Sequence, residues 1–313
     1  MSQSSRKRVI VVGATGMIGR VLCRHLLASN YDVVVFSRNP EAARQIVPGA
    51  GDYVAWQAEE HGAWEAAVDG AWAVVNMAGA PFFTRWNAAY QREVSASRIR
   101  GTRGLINAMR AASVKPQVFI SGSSQGFYGF DVHENDKEID EDQAAGNDWW
   151  GQDSALVEQE IMRAEELGIR TIVVRTGIFL DAEAGALGSQ LPRYKKGQIN
   201  YVRPGNQWYP WIHADDEAGL IQFAIENEQV RGPLNATSPN PLRNRDFMRL
   251  VGKVLGKPMR GGLPGFLLRL FLGKVATVVI HGRRLVPKKA LELGYQFQYP
   301  QAEAALRNLL NEE

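Results

Sequence analysis

Val9-Ile-Val-Val-Gly13-Ala-Thr-Gly16-Met-Ile-Gly19 is the stretch of sequence that decides the fold of this chain. Its four β-branched residues predict a buried parallel strand, and the glycines that follow lead into apolar residues with helical spacing. In such a strand–turn–helix unit, the first glycine makes the tight turn and the middle one lets the backbone approach a pyrophosphate. The third glycine lets the helix pack on the strand, and the N–H groups at the start of the helix hold the phosphates. The stretch therefore predicts a dinucleotide-binding site.

Strand and helix patterns alternate along the first 180 residues. Strand patterns cover residues 31–36, 72–77, 117–121 and 170–175, and helical patterns cover residues 41–46, 88–112 and 155–167. This alternation predicts an α/β fold with a doubly wound parallel sheet of the Rossmann type. After Gly177 the chain becomes rich in Gly, Pro, Trp and Arg. We expect a cofactor-binding domain over residues 1–180 and a smaller C-terminal substrate lobe over most of 181–313, with a strand and a helix near 205–230 returning to the first domain.

Composition indicates a soluble protein of enzyme size. The 313 residues suffice for a large core, and a net charge of +3 is too small to predict binding to nucleic acid. The single cysteine, Cys23, excludes a disulfide framework, and the apolar stretch 266–280 is too short and too interrupted by charge to span a bilayer. We expect a cytoplasmic protein with a small-molecule substrate, no nucleic-acid partner, no metal and no membrane span; the sequence leaves the oligomeric state open.

The residues after the second predicted strand indicate which dinucleotide binds. An acidic residue there would accept a hydrogen bond from the ribose 2′-hydroxyl of NAD. Here the strand ends in Ser37-Arg38, and the forked, always charged guanidinium of Arg38 suits a 2′-phosphate. A later strand ends in Asn76-Met-Ala-Gly79-Ala80-Pro81, whose small residues let the backbone pass close to the adenine side of the cofactor. These features predict NADP rather than NAD.

Motifs spread over residues 9–297 match one group of proteins. They are the glycine-rich turn, Ser37-Arg38, Val75-Asn-Met-Ala-Gly79, Arg85-Trp86, Glu93 with Ser97-Arg98-Ile99, Ser121-Gly-Ser-Ser-Gln-Gly-Phe-Tyr-Gly129, Val174-Arg-Thr-Gly-Ile-Phe-Leu180, Gly205-Asn-Gln-Trp-Tyr-Pro-Trp-Ile-His-Ala-Asp215, Asn235-Ala-Thr-Ser-Pro-Asn-Pro241, and Leu285-Val-Pro-Lys-Lys with Gly294-Tyr-Gln-Phe297. With these motifs the chain resembles the atypical extended short-chain dehydrogenases/reductases known as epimerase-family proteins, a group also described as SulA-like and as nucleoside-diphosphate-sugar epimerases. The resemblance implies NADP binding but no particular substrate.

The predicted cofactor site draws on the motifs and on the resemblance. The resemblance implies that NADP is bound by Ser37, Arg38, Met77, Ala78, Glu93, Arg98 and Phe179. The glycine-rich turn and the strand ends add Gly13, Thr15, Gly16, Met17, Ile18, Gly19, Gly79 and Ser121.

The catalytic residues of the wider superfamily are missing. Its members transfer a proton with a Tyr-x-x-x-Lys pair, but helix register puts Trp150 where the Tyr would be and Ser154 where the Lys would be. The remaining candidates for proton transfer are Ser123, Ser124 and Tyr128, which lie at or just after the end of one predicted strand.

Other polar residues near these motifs are interpreted as structural. Asp153 and Glu158 are expected to be charges on the surface of a helix. His213 is expected to be structural, with Asp215 or Asp216 as the N-cap of the helix that follows it.

Aromatic residues concentrate in segments that follow the predicted strands or belong to the C-terminal lobe. Because parallel sheets bind ligands at the carboxyl ends of their strands, these residues predict a cleft for a planar or apolar substrate. The candidate pocket residues are Phe82, Trp86, Trp150, Trp208 and Trp211. Ordinary packing in the core is the alternative interpretation.

Three functions are consistent with the sequence. The first is an NADP(H)-dependent oxidoreductase or epimerase that acts on a small, partly apolar carbonyl or hydroxyl compound. The second is a non-catalytic redox sensor or scaffold that binds NADP, which the missing Tyr and Lys favour. The third is a nucleotide-sugar epimerase, for which the residues available to a diphosphate are Arg193, Arg203, Arg243 and Arg245.

Overall fold

The computed structural model describes residues 6–59, 61–80, 87–130 and 136–311, and strands and helices alternate along them. The strands are β1 (Arg8–Val12), β2 (Asp32–Ser37), β3 (Asp52–Ala55), β4 (Ala73–Asn76), β5 (Val118–Ser124), β6 (Glu138–Ile139), β7 (Arg170–Thr176), β8 (Ile178–Leu180), β9 (Ile199–Val202), β10 (Trp208–Tyr209), β11 (Trp211–His213), β12 (Gly232–Ala236), β13 (Leu242–Arg243), β14 (Met259–Leu263) and β15 (Arg284–Leu285).

The helices lie between and after these strands. The α-helices are α1 (Met17–Ala28), α2 (Pro40–Ile46), α3 (Ala88–Ala111), α4 (Trp149–Met162), α5 (Gly185–Gly188), α6 (Leu191–Lys195), α7 (Ala214–Glu226), α8 (Asn244–Val254), α9 (Gly265–Leu272), α10 (Ala276–Ile280), α11 (Lys288–Glu292) and α12 (Ala302–Leu310). Short 3-10 helices cover Ala63–Val68, Gln125–Tyr128 and Arg163–Leu167. The helix predicted at 155–167 begins earlier, at Trp149, because the side chain of Asp148 accepts a hydrogen bond from the Gly151 N–H and caps it.

Seven strands form one parallel sheet in the order β12-β7-β5-β4-β1-β2-β3. The chain adds strands in one direction from β1 to β3 and in the other direction from β4 onwards. Because the strands are parallel, their carboxyl ends share one edge, and the reversal between β1 and β4 opens a crevice at that edge. The fold is therefore the doubly wound Rossmann type that the sequence predicted.

Helices cover both faces of the sheet, as the unbroken apolar run of β1 predicts. Val9 and Val11 of β1 belong to the apolar cluster that includes residues of α1 and α7. Ile10 and Val12 belong to the cluster on the other face, with residues of α3 and α4. Alternate residues of a strand point to opposite faces, so Val9 and Val11 pack against one helical layer and Ile10 and Val12 against the other.

A third apolar cluster lies in the part of the chain after β7. It contains Phe247 of α8, Leu306 of α12, Ile199 of β9 and Trp211 of β11. From the same part of the chain, β12 pairs with β7 in the large sheet and α7 packs against α1. We therefore propose that residues 181–313 form mainly a substrate lobe, with β12 and α7 belonging to the sheet domain.

The apolar stretch 266–280 forms two short helices. Helix α9 ends at Leu272 and is followed by Gly273, whose positive φ of 64° suits glycine, and α10 begins at Ala276. Among the described residues, no helix has both the length and the apolar character needed to cross a bilayer.

Candidate functional site

The glycine-rich turn between β1 and α1 lies too close to its neighbours for side chains at two positions. Gly13 has a φ of +77°, and a Cβ on it would lie 2.7 Å from the Ala78 amide nitrogen. A Cβ on Gly19 would lie 2.3 Å from the Gly13 carbonyl oxygen, so this glycine lets α1 pack against the turn. Gly16 is the N-cap of α1, and no described side chain caps the helix there. The first N–H groups of α1 are therefore available to a ligand.

One cavity lies on the β2 side of this turn, and we call it the β2-side cavity. The predicted cofactor residues that line it are Gly13, Thr15, Gly16, Ser37, Arg38, Met77, Ala78, Gly79, Glu93 and Arg98. Arg38 is exposed, and Glu93 pairs with Arg100 at 2.7 Å between Oε1 and Nη2. The charge of Glu93 is thus partly compensated, whereas the guanidinium of Arg38 adds positive charge to the cavity.

A second cavity, the β5-side cavity, lies over the carboxyl ends of β5 and β7. The predicted site residues that line it are Met17, Ile18, Met77, Ala78, Gly79, Arg98, Ser123, Ser124, Trp150 and Phe179. Thr176 at the end of β7 and Val278 of α10 complete its walls. The ring of Trp150 packs edge-on against Phe130, with 5.8 Å between the ring centroids. Apolar side chains therefore surround a few hydroxyl groups, which is typical of a pocket for a small organic molecule.

The two cavities share a wall at the reversal point of the sheet, formed by Met77, Ala78, Gly79 and Arg98. The Nε of Arg98 is buried and has no hydrogen-bond partner in the described part of the chain. Burial lowers the pKa of Arg98, and the attraction of Asp153 opposes this. Because a bound anion would satisfy this guanidinium, the groove fits a dinucleotide with its phosphates over the turn and one nucleoside in each cavity.

Two neighbouring serines in the β5-side cavity use their hydroxyl groups differently. Ser123 donates its hydroxyl hydrogen to Glu158 Oε1 at 2.6 Å. Ser124 accepts a hydrogen bond from the Gly126 N–H at 3.1 Å, and its own hydrogen has no acceptor among the described residues. Ser124 can therefore donate a hydrogen bond to a molecule in the cavity, while the hydrogen of Ser123 is already engaged.

The register of α4 brings Trp150 and Ser154 towards the end of β5. A Cβ on Gly126 would lie 3.6 Å from Ser154 Oγ and 3.9 Å from Trp150 Cβ. No described tyrosine or lysine lines the β5-side cavity. Any proton transfer in this cavity must therefore use groups other than the Tyr–Lys pair of the wider superfamily.

Tyr128 lies inside the protein rather than in the cavity, which corrects the expectation that it donates a proton there. It is 1 % exposed, donates to Asn235 Oδ1 at 2.6 Å and accepts from Arg175 Nη1 at 2.9 Å. Burial raises the pKa of Tyr128 to about 12. These contacts hold the Tyr128 hydroxyl inside the protein, and Tyr128 lines neither cavity.

Several other predicted site residues lie outside the two cavities. Ser121 of β5 is buried, accepts a hydrogen bond from Asn76 Nδ2 at 3.3 Å and lines neither cavity. Trp211 is fully buried, with its indole N–H donating to the Asn240 carbonyl, and Trp208 packs against the guanidinium of Arg243. These three positions correct the expectation that they contact cofactor or substrate. Phe82 and Trp86 lie outside the described residues.

His213 is the N-cap of α7, a position that the sequence assigned to Asp215 or Asp216. Its Nδ1 accepts a hydrogen bond from the Asp215 N–H at 3.0 Å, and its Nε2 lies 3.1 Å from Asn308 Oδ1. The imidazole is therefore the neutral form with its hydrogen on Nε2. Burial lowers the pKa of His213, which agrees with this assignment and with a structural role.

Sequence reasoning missed a buried ion pair beside the serines. Glu158, expected on a helix surface, is 6 % exposed and binds the guanidinium of Arg175, with 2.8 Å between Oε2 and Nη2. Trp150, Ser154 and Glu158 follow one another at intervals of four residues, so they share one face of α4. That spacing was the signal available in the sequence.

Two family models match the chain. The NAD dependent epimerase/dehydratase family matches residues 9–236, and a domain of unknown function (DUF1731) matches residues 263–309. The first match covers the seven-stranded sheet apart from Arg8 and both cavities apart from Val278. The second match covers much of the C-terminal part, including Val278.

Relatives match the chain over nearly its whole length. The epimerase family protein SDR39U1 homolog, chloroplastic, of Arabidopsis thaliana is 34% identical over 98% of this chain and 88% of its own. The epimerase family protein YfhF of Bacillus subtilis is 32% identical over 96% of this chain and 97% of its own. The crystal structure of human epimerase family protein SDR39U1 (isoform 2) with NADPH is similar with a TM-score of 0.85 and 29% identity, covering 97% of this chain and 99% of that one.

Proposed function

The chain belongs to the NAD dependent epimerase/dehydratase family, and from that premise we propose that it is an NADP(H)-dependent oxidoreductase for a small, partly apolar carbonyl or hydroxyl compound. The observation that carries the proposal is the pair of cavities that share a wall at the reversal point of the sheet, where the buried Nε of Arg98 has no hydrogen-bond partner among the described residues. The NADPH in the similar human structure supports the same cofactor for this chain.

The proposed cofactor would be held by groups along the groove. The N–H groups at the start of α1 and the guanidinium of Arg98 would bind its phosphates. A bound NADPH would supply a hydride to the substrate. Phe179 and Met17 line the β5-side cavity and would cover the bound nicotinamide and substrate with apolar surface. Ser124 would donate a hydrogen bond to the oxygen of the substrate, where negative charge develops.

Arg38 is the residue that we propose to select NADP over NAD. Arg38→Glu is expected to weaken NADPH binding and to erase or reverse the preference for NADPH over NADH. A carboxylate repels the 2′-phosphate of NADPH and accepts a hydrogen bond from the 2′-hydroxyl of NADH. Isothermal titration with both nucleotides measures the change. Arg44→Glu is the matched control, because Arg44 packs on the ring of Tyr53 and does not line the β2-side cavity. Equal affinities of the native protein for NADPH and NADH would contradict the proposal.

Ser124 is the residue that we propose to contact the reacting oxygen. Ser124→Ala is expected to lower turnover about 10-fold or more while NADPH affinity changes little. Ser123→Ala is the matched control and is expected to have the smaller effect on turnover, because the Ser123 hydrogen is bound to Glu158. The measurement is NADPH consumption with a panel of aldehydes, ketones and quinones. Similar turnover of native protein and Ser124→Ala would exclude this role.

One observation favours the second candidate function, an NADP-binding sensor or scaffold without turnover: no described Tyr or Lys lines the β5-side cavity. The same panel separates the two functions, because a sensor binds NADPH tightly without consuming it. A nucleotide-sugar epimerase receives less support. Arg243 packs on Trp208 and Arg245 on Tyr201, and neither lines the two cavities.

A further inference from the structure

A buried carboxyl group lies directly behind the wall of the β5-side cavity. Thr176 ends β7 and lines this cavity, and its hydroxyl donates a hydrogen bond to Oε1 of Glu217 on α7 at 2.6 Å. Glu217 has no exposed surface. The hydroxyl of Thr176 is thus placed between a fully buried acid and the space where a substrate would lie.

Glu217 has no ionic partner in the described part of the chain. Its second oxygen, Oε2, is buried without a hydrogen-bond partner there. Burial raises the pKa of Glu217 to about 8, and the hydrogen bond with Thr176 opposes this only in part. The raised pKa means that the carboxyl group carries a proton at neutral pH. A protonated carboxyl group can also donate, so when the Thr176 hydroxyl turns its hydrogen towards a molecule in the cavity, Glu217 can donate to Thr176 Oγ1 in its place.

The charged groups on the elements around Glu217 are engaged elsewhere. On α1, Arg20 pairs with Asp181, and Arg24 and His25 pair with Asp215. Next to Glu217 on α7, Asp216 accepts hydrogen bonds from two backbone N–H groups in the segment 298–299, and Tyr295 donates to the Asp216 carbonyl. On β11, His213 is neutral and caps α7, and burial raises the pKa of the Cys23 thiol of α1 to about 12. None of these groups hydrogen-bonds Glu217 among the described residues.

We propose that Glu217 is the proton source of the β5-side cavity and acts through the hydroxyl of Thr176. The proposal rests on the proposed function. It supplies an acid that can replace the transferred proton, which Ser124 lacks because no described acidic side chain hydrogen-bonds it. In the proposed step, the carbonyl carbon of the substrate would accept the hydride that NADPH supplies when bound, and its oxygen would take the hydroxyl proton of Thr176. Thr176 takes the proton of Glu217, which becomes a carboxylate. The carbonyl would thus be reduced to an alcohol and the cofactor oxidised, and a proton from solvent would return to Glu217 through Thr176 afterwards.

This arrangement couples the proton on Glu217 to the charge of the nicotinamide ring. The ring of NADP⁺ is cationic, whereas the ring of NADPH is neutral. A positive charge in the β5-side cavity favours the carboxylate form of Glu217, so binding of NADP⁺ should expel the proton and binding of NADPH should not. The coupling can be measured without any substrate.

The first test is isothermal titration at pH 7 in buffers of different ionisation enthalpy, with NADP⁺ and NADPH as probes. For each nucleotide bound, the native protein is expected to release more protons with NADP⁺ than with NADPH, and the difference is expected to be about half a proton or more. Glu217→Gln, which keeps the shape and a hydrogen bond to Thr176, is expected to remove this difference. Glu226→Gln, an exposed change on the same helix, is the matched control and keeps it.

A second test needs no variant at Glu217. The infrared difference spectrum between the NADP⁺ and NADPH complexes of the native protein is expected to lose a protonated carboxyl band and gain a carboxylate band. In stopped-flow mixing with NADP⁺ and an indicator dye, Thr176→Val is expected to slow proton release about 10-fold or more, and Thr176→Ser to restore it.

Each outcome decides the proposal. Equal proton release with both nucleotides, or a difference spectrum without carboxyl bands, overturns it and leaves the proposed cofactor standing. Unchanged release kinetics in Thr176→Val overturn the relay through Thr176. Failure of both nucleotides to bind the native protein overturns this proposal together with the proposed function.

Discussion

Replacing Arg175 with methionine is expected to lower the free energy of unfolding by about 3–5 kcal/mol, because it leaves a buried carboxylate without its cation. The guanidinium of Arg175 binds Glu158 through Nε and Nη2, donates to Tyr128 through Nη1 and packs 3.4 Å from the centroid of the Phe127 ring. Methionine fills similar space but satisfies none of these polar groups. Urea denaturation of the native and variant proteins measures the loss.

Two further variants isolate the cause. Arg163→Met is the matched control: Arg163 pairs with Glu160 on a partly exposed surface, and its loss is expected to cost less than about 1 kcal/mol. Arg175→Met combined with Glu158→Leu is expected to be more stable than Arg175→Met alone, because no unpaired charge then stays buried. If the double variant is no more stable than the single one, the ion pair is not the source of the loss.

Replacing Gly19 with alanine is expected to damage both the fold and the cofactor site. The added methyl group would lie 2.3 Å from the Gly13 carbonyl oxygen and 2.7 Å from Ala14 Cα. These are backbone atoms, so α1 must move away from β1, and we expect a loss of stability of about 1–3 kcal/mol or more. Because the same shift displaces the N–H groups at the start of α1, NADPH affinity is expected to fall at least about 10-fold. Thermal unfolding and isothermal titration measure the two effects.

Gly16→Ala separates packing from binding within the same turn. Gly16 has a φ of −75°, and an added Cβ meets only the Gly13 carbonyl oxygen, at 3.2 Å. This variant is expected to fold with nearly native stability and to lose about 10- to 100-fold in NADPH affinity, because its methyl group occupies the approach of the pyrophosphate to the N–H groups. Native NADPH affinity in Gly19→Ala would show that the phosphates do not bind at this turn.

The local sequence determined the sheet, the turn and the family. A parallel strand covered on both faces needs an unbroken apolar run, and Val9, Ile10, Val11 and Val12 are divided between the two helical layers as that rule requires. The glycine positions follow from backbone conformation and close approach, which depend on neighbours in sequence and on one crossing strand. These features are short-range and periodic, so one sequence suffices to predict them.

Only the tertiary structure decided which polar side chains face the cavities. Ser123 and Ser124 are neighbours, yet alternation along β5 turns one towards Glu158 of α4 and leaves the other free to donate. Tyr128 is held by Arg175 and Asn235, and Thr176 by Glu217, through partners that are 41 to 107 residues away. Hydrogen bonds between such distant residues depend on how strands and helices pack together, and no local sequence pattern predicts them. The acid proposed to serve the cavity could therefore be found only after the chain was folded.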